Sequence, residues 1–389
     1  VTHVAKLCPD IGKSMKKIQM VDLRSQYERL QADIDQAMQG VLERTSFING
    51  EEVKVFAADL GKYLDCPSVI TCGNGTDALQ LVMMAMDFRP GQEVIVPAFT
   101  YIAAVEVLAL LGLRPVLVDV HPETFQIDAK KIGAAITANT VGIVPVHLFG
   151  QCADMGAIME IAKNHGLKVI EDAAQSLGAV YTMPDGTRKH SGKIGHAGTT
   201  SFFPSKTLGC FGDGGAAFTN DPELGQKIRM IANHGQRQKY FHERIGVNSR
   251  LDTLQAAILH AKLPHLDDFV QRRNTVAKAY NHAFALHPHI RIPQLVPNST
   301  HAYHQYTIRI RGANRDELRD FLKNQGIPTM VYYPLPVHLQ PAYHYLGYKE
   351  GDFPVAEQLC NEVLSLPIHT EMEEDQLDHI ISQVKRFFA

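Results

Sequence analysis

Lys206 is the residue whose setting first suggests chemistry. It stands in Ser201-Phe202-Phe203-Pro204-Ser205-Lys206-Thr207-Leu208-Gly209, and the run Gly212-Asp213-Gly214-Gly215-Ala216 follows. Pro204 and the glycines make a stiff turn with bare backbone close by. A lysine held out of water in such a turn has a lowered pKa and attacks carbonyls as a free amine. An ordinary solvated lysine ahead of a glycine turn would share the same local sequence. A second stretch, Lys168-Val169-Ile170-Glu171-Asp172-Ala173-Ala174-Gln175-Ser176, weighs against that plainer reading. Val169-Ile170 reads as the end of a buried parallel strand, and open α/β sheets place ligands at strand carboxyl ends, where Asp172 falls. Taken alone, Asp172 reads equally well as the N-cap of a helix opening at Ala173. Taken together, this carboxylate and a reactive lysine 34 positions later are the two anchors that pyridoxal phosphate needs. The lysine bonds the cofactor covalently, and the aspartate keeps the pyridine nitrogen protonated so that the ring accepts electrons.

A third stretch is Cys72-Gly73-Asn74-Gly75-Thr76-Asp77-Ala78, between a short strand over 68–71 and a helix running to 86. The amides of Gly75 and Thr76 at that helix start form an anion site. The same residues spell G-x-G-x-x-A, the dinucleotide fingerprint. That reading requires a carboxylate at the end of the next strand. The next strand, 93–96, ends instead in Pro97-Ala98-Phe99-Thr100. The nucleotide reading also leaves Lys206 unexplained.

With these motifs in order, the chain from about Ile18 to the C-terminus resembles the sugar aminotransferases of the DegT/DnrJ/StrS family, fold type I pyridoxal-phosphate enzymes. Within the family it is most similar to the bacterial UDP-2-acetamido-2-deoxy-3-oxo-glucuronate 3-aminotransferases that feed lipopolysaccharide O-antigen synthesis. The resemblance implies pyridoxal 5'-phosphate as cofactor, with Lys206 and Asp172 catalytic. It also implies that Gly75, Thr76 and Ser201 hold the phosphate, Tyr101 stacks on the ring, and Gln175 bonds the phenolic oxygen. Asn248 is implied to reach the cofactor phosphate of a neighbouring subunit, hence a homodimer with shared sites. Arg250, Tyr332 and Tyr333 are implied to meet substrate. The plainer alternatives are Tyr101 as a core aromatic and Arg250 as a helix cap paired with Asp252. The implied partners are a nucleotide sugar and glutamate as amino donor, and the implied compartment is the cytoplasm. Uronate-specific relatives read His-Tyr-Pro where this chain has Tyr332-Tyr333-Pro334. Tyrosine donates a hydrogen bond but does not carry histidine's positive charge, so a neutral 4-keto or 3-keto deoxysugar is the alternative substrate. A ligand-sensing aminotransferase fold is a further alternative. The dehydratase branch of the family carries histidine where this chain keeps Lys206.

Helical periodicity over 22–41, 51–64, 155–165 and 222–232 alternates with strands at 93–96, 115–119, 141–147 and 169–170. That rhythm predicts an α/β fold with a mostly parallel sheet and helices on both faces, followed by a smaller α+β domain. Strands at 199–203 and 215–219 flank the lysine turn. The expected layout is a loose tail over 1–17, a large cofactor-binding domain over 18–265 and a small domain over 266–389. Residues 182–196 read as a loop, and 237–246 as a mobile loop near substrate. A helix over 251–263 should end at Pro264, with another over 266–286, and 331–334 should close a strand. Further expected elements are a strand over 305–311 and helices over 316–324, 357–363 and 375–388.

The 389 residues, 45% hydrophobic and 20% charged, suit a globular enzyme with a sizeable core. A net charge of -3 gives no electrostatic reason to expect nucleic acid or an acidic membrane. The six scattered cysteines form no C-x-x-C pair, which argues against structural zinc and a disulfide framework. No metal site and no membrane span are expected.

Overall fold

The computed structural model of the chain describes residues 15–389, so most of the expected tail lies outside the described residues. The chain opens with α1 (Leu23–Arg44) and α2 (Glu51–Leu64), then β1 (Ser68–Cys72), α3 (Gly75–Ala85), β2 (Glu93–Pro97), α4 (Ala103–Leu110) and β3 (Arg114–Val118). It continues through α5 (Ala129–Ala135), β4 (Thr140–Ile143), α6 (Met155–His165) and β5 (Lys168–Asp172). A hairpin of β6 (Val180–Thr182) and β7 (Arg188–His190) precedes β8 (Ala197–Ser201), β9 (Gly215–Thr219) and α7 (Pro222–Ala232). The central sheet has seven strands in the order β1-β9-β8-β5-β4-β2-β3. Strand β9 runs antiparallel to both neighbours, and the others run parallel to one another.

Both faces of this sheet are covered, and single strands show it. On β2, Val94 and Val96 join one core while Ile95 joins another on the opposite face. On β5, Ile170 and Val169 divide in the same way. This is the near-continuous apolar reading of a strand buried on both sides. Helix starts follow side-chain caps: Asp22 accepts from Ser25 N–H, Asn74 from Asp77 N–H, Asp154 from Ala157 N–H and Asp221 from Glu223 N–H.

After α7 comes a second hairpin, β10 (Gln236–Gln238) with β11 (Phe241–His242), where a loop was expected. Helix α8 (Thr253–Lys262) does not end the run at Pro264. A 3-10 turn over Leu263–His265 carries it into α9 (Leu266–Phe284), because proline needs no N–H donor in the first turn. The N-terminal part of α9 packs on the large core through Leu266, and its later residues Val276, Ala277 and Tyr280 enter a second core. That core is built on β12 (Ile290–Arg291), β13 (Tyr306–Ile310) and β14 (Val363–Leu366), with α10 (Arg315–Asn324) and α12 (Glu374–Phe387). Helix α11 (Pro354–Glu362) packs back on the main core through Ala356, Leu359 and Cys360.

Three expectations need correction. Residues 182–196 contain strand β7 and the end of β6. Residues 331–334 are not a strand, because only Met330 bridges Ser365 and Pro334 lacks a donor. Strand β4 stops at Ile143, short of 147. Among the described residues, no helix is long and apolar enough to cross a membrane.

Two glycines give a stability test. A Cβ on Gly198 in β8 would sit 1.9 Å from Gly192 O, whereas one on Gly133 in α5 meets nothing within 4 Å. Gly198→Ala should lower unfolding free energy by about 1–3 kcal/mol in urea titration. Gly133→Ala, on an exposed helix position, should raise it by about 0.5–1 kcal/mol.

Candidate active site

The carboxyl end of β5 lies between two backbone anchors. Asp172 N–H donates to Pro145 O and His147 N–H donates to Asp172 O, each at 2.9 Å. Alternation along the strand sends the neighbouring carboxylates to opposite faces. Glu171, fully buried, accepts from the amides of Gly192, Ile194 and Gly195 and from His147 Nε2–H at 2.8 Å. His147 Nδ1 accepts from Ala153 N–H at 3.1 Å, which fixes the proton on Nε2. Glu171 is therefore satisfied structurally. Asp172 accepts one N–H, from Ala174 at 3.0 Å, and caps a turn rather than a helix. Burial pushes the Asp172 carboxyl above the usual carboxylate range.

Lys206 rides a loop between β8 and β9. Phe202 N–H donates to Gly214 O at 2.7 Å, Cys210 N–H to Phe202 O at 2.8 Å, and Lys206 N–H to Phe203 O at 2.8 Å. The undersides of this loop, Phe202, Leu208 and Cys210, are buried with Phe56 and Leu60 of α2 and Leu259 of α8. Burial lowers the Lys206 amine to about 8, while the Asp172 charge opposes the drop. The two groups feel each other, yet no ion pair closes between them among the described residues. Desolvation of this lysine is what the turn composition suggested.

Gln175 Oε1 accepts from Phe149 N–H at 2.8 Å, and its Nε2 donates to Tyr333 OH at 3.3 Å. Tyr333 packs on Phe99 and Tyr332, and its ring lies 6.1 Å from that of Tyr101. Tyr101 is 54% exposed, so it is not a core aromatic. At the α3 start, Asn74 takes Asp77 N–H and Ala78 N–H, leaving Gly75 N–H and Thr76 N–H without protein acceptors among the described residues. A Cβ on Gly75 would lie 2.8 Å from Ser201 Cβ, so the glycine lets β8 and α3 close together. Ser249 Oγ accepts from Gly73 N–H at 2.9 Å and donates to Asp77 at 2.5 Å, bracing the same turn.

Within one chain, Asn248 and Arg250 share no hydrogen bond or ion pair with Lys206, Asp172, Gln175, Tyr332 or Tyr333 among the described residues. Asn248 is exposed and bridges Asn233. Arg250 lines a cleft of about 1110 Å³ between α2, β1 and α7. Buried polar atoms that motif reading missed include Thr100 Oγ1, Thr207 Oγ1 and His304 Nδ1, none with a partner among the described residues. His304 is held neutral well below the ordinary histidine range by burial, then by Lys206 and Arg273. These atoms carry no local sequence signal, since their isolation arises only from packing.

Residues 28–385 match the DegT/DnrJ/EryC1/StrS aminotransferase family. The chain belongs to this family. Among its relatives is a "pleiotropic regulatory protein" of Geobacillus stearothermophilus, 47% identical over 95% of this chain and 98% of that one. The UDP-2-acetamido-2-deoxy-3-oxo-D-glucuronate aminotransferase of Pseudomonas aeruginosa is 45% identical over 92% and 96%. The dTDP-3-amino-3,4,6-trideoxy-alpha-D-glucose transaminase of Streptomyces venezuelae is 42% identical over 95% and 96%. The crystal structure of S. venezuelae DesV superposes with a TM-score of 0.92 at 41% identity, covering 96% of this chain and 99% of that one.

Aminotransferases of this family depend on pyridoxal phosphate. The donor set here fits that group: two free helix-start amides for a phosphate, a desolvated amine for an aldehyde, and a buried carboxylate for a ring nitrogen. Trace labelling of the cofactor-free chain should show Lys206 titrating near 8, against roughly 10.4 for ordinary lysine. Asp172 favours the charged amine, so Asp172→Asn should move that midpoint further down. An upward move would contradict the coupling.

Proposed function

We propose that the chain transfers an amino group from glutamate to the C3 ketone of UDP-2-acetamido-2-deoxy-3-oxo-glucuronate, in the cytoplasm, for bacterial surface polysaccharide. The observation that carries the aminotransferase reading is the desolvated Lys206 amine facing the buried Asp172 carboxylate. The sugar rests on the Pseudomonas aeruginosa relative.

Bound pyridoxal phosphate supplies an electron sink for the pair released when the donor's α-proton leaves. Lys206 would hold it covalently, Asp172 would hold the ring-nitrogen proton, and Gln175 would hold the phenolic oxygen. Gly75, Thr76 and Ser201 would hold the phosphate, and Tyr101 would cover the ring. The Lys206 amine, lowered to about 8 so that a minority is neutral at physiological pH, takes the α-proton of the donor and later returns a proton to C3 of the sugar. Proton transfer by a positioned group of this kind contributes roughly 10²–10⁴-fold. Tyr332 and Tyr333, both raised in pKa chiefly by burial, stay protonated and serve as neutral hydrogen-bond donors toward substrate.

Asn248 and Arg250 fit the site as contributions from a second copy of the chain, because neither meets the Lys206 cluster within its own chain. The active unit is then a homodimer with shared sites. Mixing Lys206→Ala with Asn248→Ala subunits should restore part of the lost activity by rebuilding one intact site. Exchange without recovery would place the whole site in one chain.

Tyr332 at the usual histidine position, together with the Streptomyces relative named for a dTDP sugar, favours a second reading: a neutral keto-sugar nucleotide. A buried carboxylate on the sugar requires a paired cation, and Arg250 binds such a group through its fork. Arg250→Lys should therefore lower kcat/KM for the uronate by a factor equivalent to about 2–5 kcal/mol. Turnover of a neutral keto-sugar should change little. A wild type that prefers the neutral sugar, or a substitution that harms both alike, would leave only the second reading.

A further inference from the structure

Lys262 carries a buried amine that the transamination chemistry does not use. It closes α8, is 1% exposed, and has no carboxylate within ion-pair distance among the described residues. Burial lowers its amine to about 8. Removing an ammonium from water without a counter-ion is costly, so its surroundings should compensate or exploit it. Two contacts are present. Its Nζ donates to Gly209 O at 2.5 Å, and it lies 5.5 Å from the Phe211 ring centre.

Both contacts fall on the return leg of the loop that carries Lys206. That leg is tight already: a Cβ on Gly209 would lie 2.4 Å from Pro204 O. Two residues on, Phe211 N–H donates to Gln255 Oε1 at 2.8 Å, and Gln255 is also on α8. The hydrogen bonds within the loop tie its ends together, whereas Lys262 and Gln255 tie its return leg to a helix packed against α1 and α2.

We infer that Lys262 is a positioning residue for the reactive lysine, fastening the Gly209 carbonyl so that Lys206 is held on a rigid loop out of water. A lysine amine donates a hydrogen bond whether charged or neutral, so the fastening survives deprotonation. The inference rests on Lys206 being the reactive amine. Removing the donor frees the return leg, admits water to Lys206 and raises its titration toward the ordinary lysine value.

The test is trace labelling of the full-length chain across pH, with and without pyridoxal phosphate, reading Lys206 by peptide mapping. Lys262→Met should move the Lys206 midpoint up by about one pH unit or more and weaken pyridoxal phosphate binding at least about tenfold. Lys262→Arg, which keeps an N–H donor, should recover most of both. A folded Lys262→Met chain with wild-type midpoint and binding overturns the inference. So does an Arg variant no better than Met. If the Met variant does not fold, Lys262→Leu, which also lacks a donor, takes its place. It must show the same upward move, and a wild-type midpoint there overturns the inference equally. If Lys206 in the wild type titrates as an ordinary lysine, the functional reading fails, and this inference with it.

Discussion

A half-buried primary amine and a buried carboxylate that are coupled electrostatically yet not ion-paired are expensive to maintain, and the architecture around Lys206 and Asp172 maintains them. Direct pairing would be the cheaper arrangement, since each charge would satisfy the other. The fold prevents it by mounting the two groups on separate rigid supports. Asp172 ends a central strand and is fixed on both sides by the backbone of residues 145–147. Lys206 sits on a loop whose underside is bolted into the core by Phe202, Leu208 and Cys210. The result is a lowered amine and a raised acid, each waiting for a partner.

The supports depend on one another. Glu171 ties β5 to the segment 192–195 ahead of β8, so the two strands that flank the site move as one. Gly198 allows that segment to lie against β8, where a Cβ would strike Gly192 O. Reversed β9 returns the chain beside β1, bringing Gly215 against Asn74 at the start of α3. The α3 start with its two free amides, the carboxylate strand and the lysine loop thus share one edge of one sheet, the place where parallel sheets bind ligands.

Much of this was legible from residues alone. Lys206 and Asp172 announced themselves by type and spacing, and Gly75-Thr76 by the turn they open. The spans of α1, α2, α6 and α7 were legible from helical periodicity, and the Asp caps at the starts of α1, α6 and α7 emerge from the structure. Other features had no local signal. The β6–β7 hairpin uses strands of three residues, braced by a bridge from Tyr181 to the distant Ser299, inside a polar stretch that reads as loop. Residues 331–334 have strand-forming side chains, yet a tertiary bridge at Met330 and the following proline decide otherwise. Glu171 and Asp172 are adjacent carboxylates, and which one faces the site is set by what packs on each face. Lys262 reads as an ordinary helix lysine, and it becomes buried because α8 packs against α1 and α2.

Borohydride reduction of the pyridoxal-phosphate-loaded enzyme, followed by peptide mapping, tests the central claim most directly. The claim predicts a yellow protein whose reduced cofactor is fixed on Lys206 alone. The structure also supplies a specific competitor, because the amine of Lys262, a buried lysine, is likewise lowered to about 8. Cofactor fixed on Lys262, on any other lysine, or on none would contradict the assignment of Lys206 as the reactive amine.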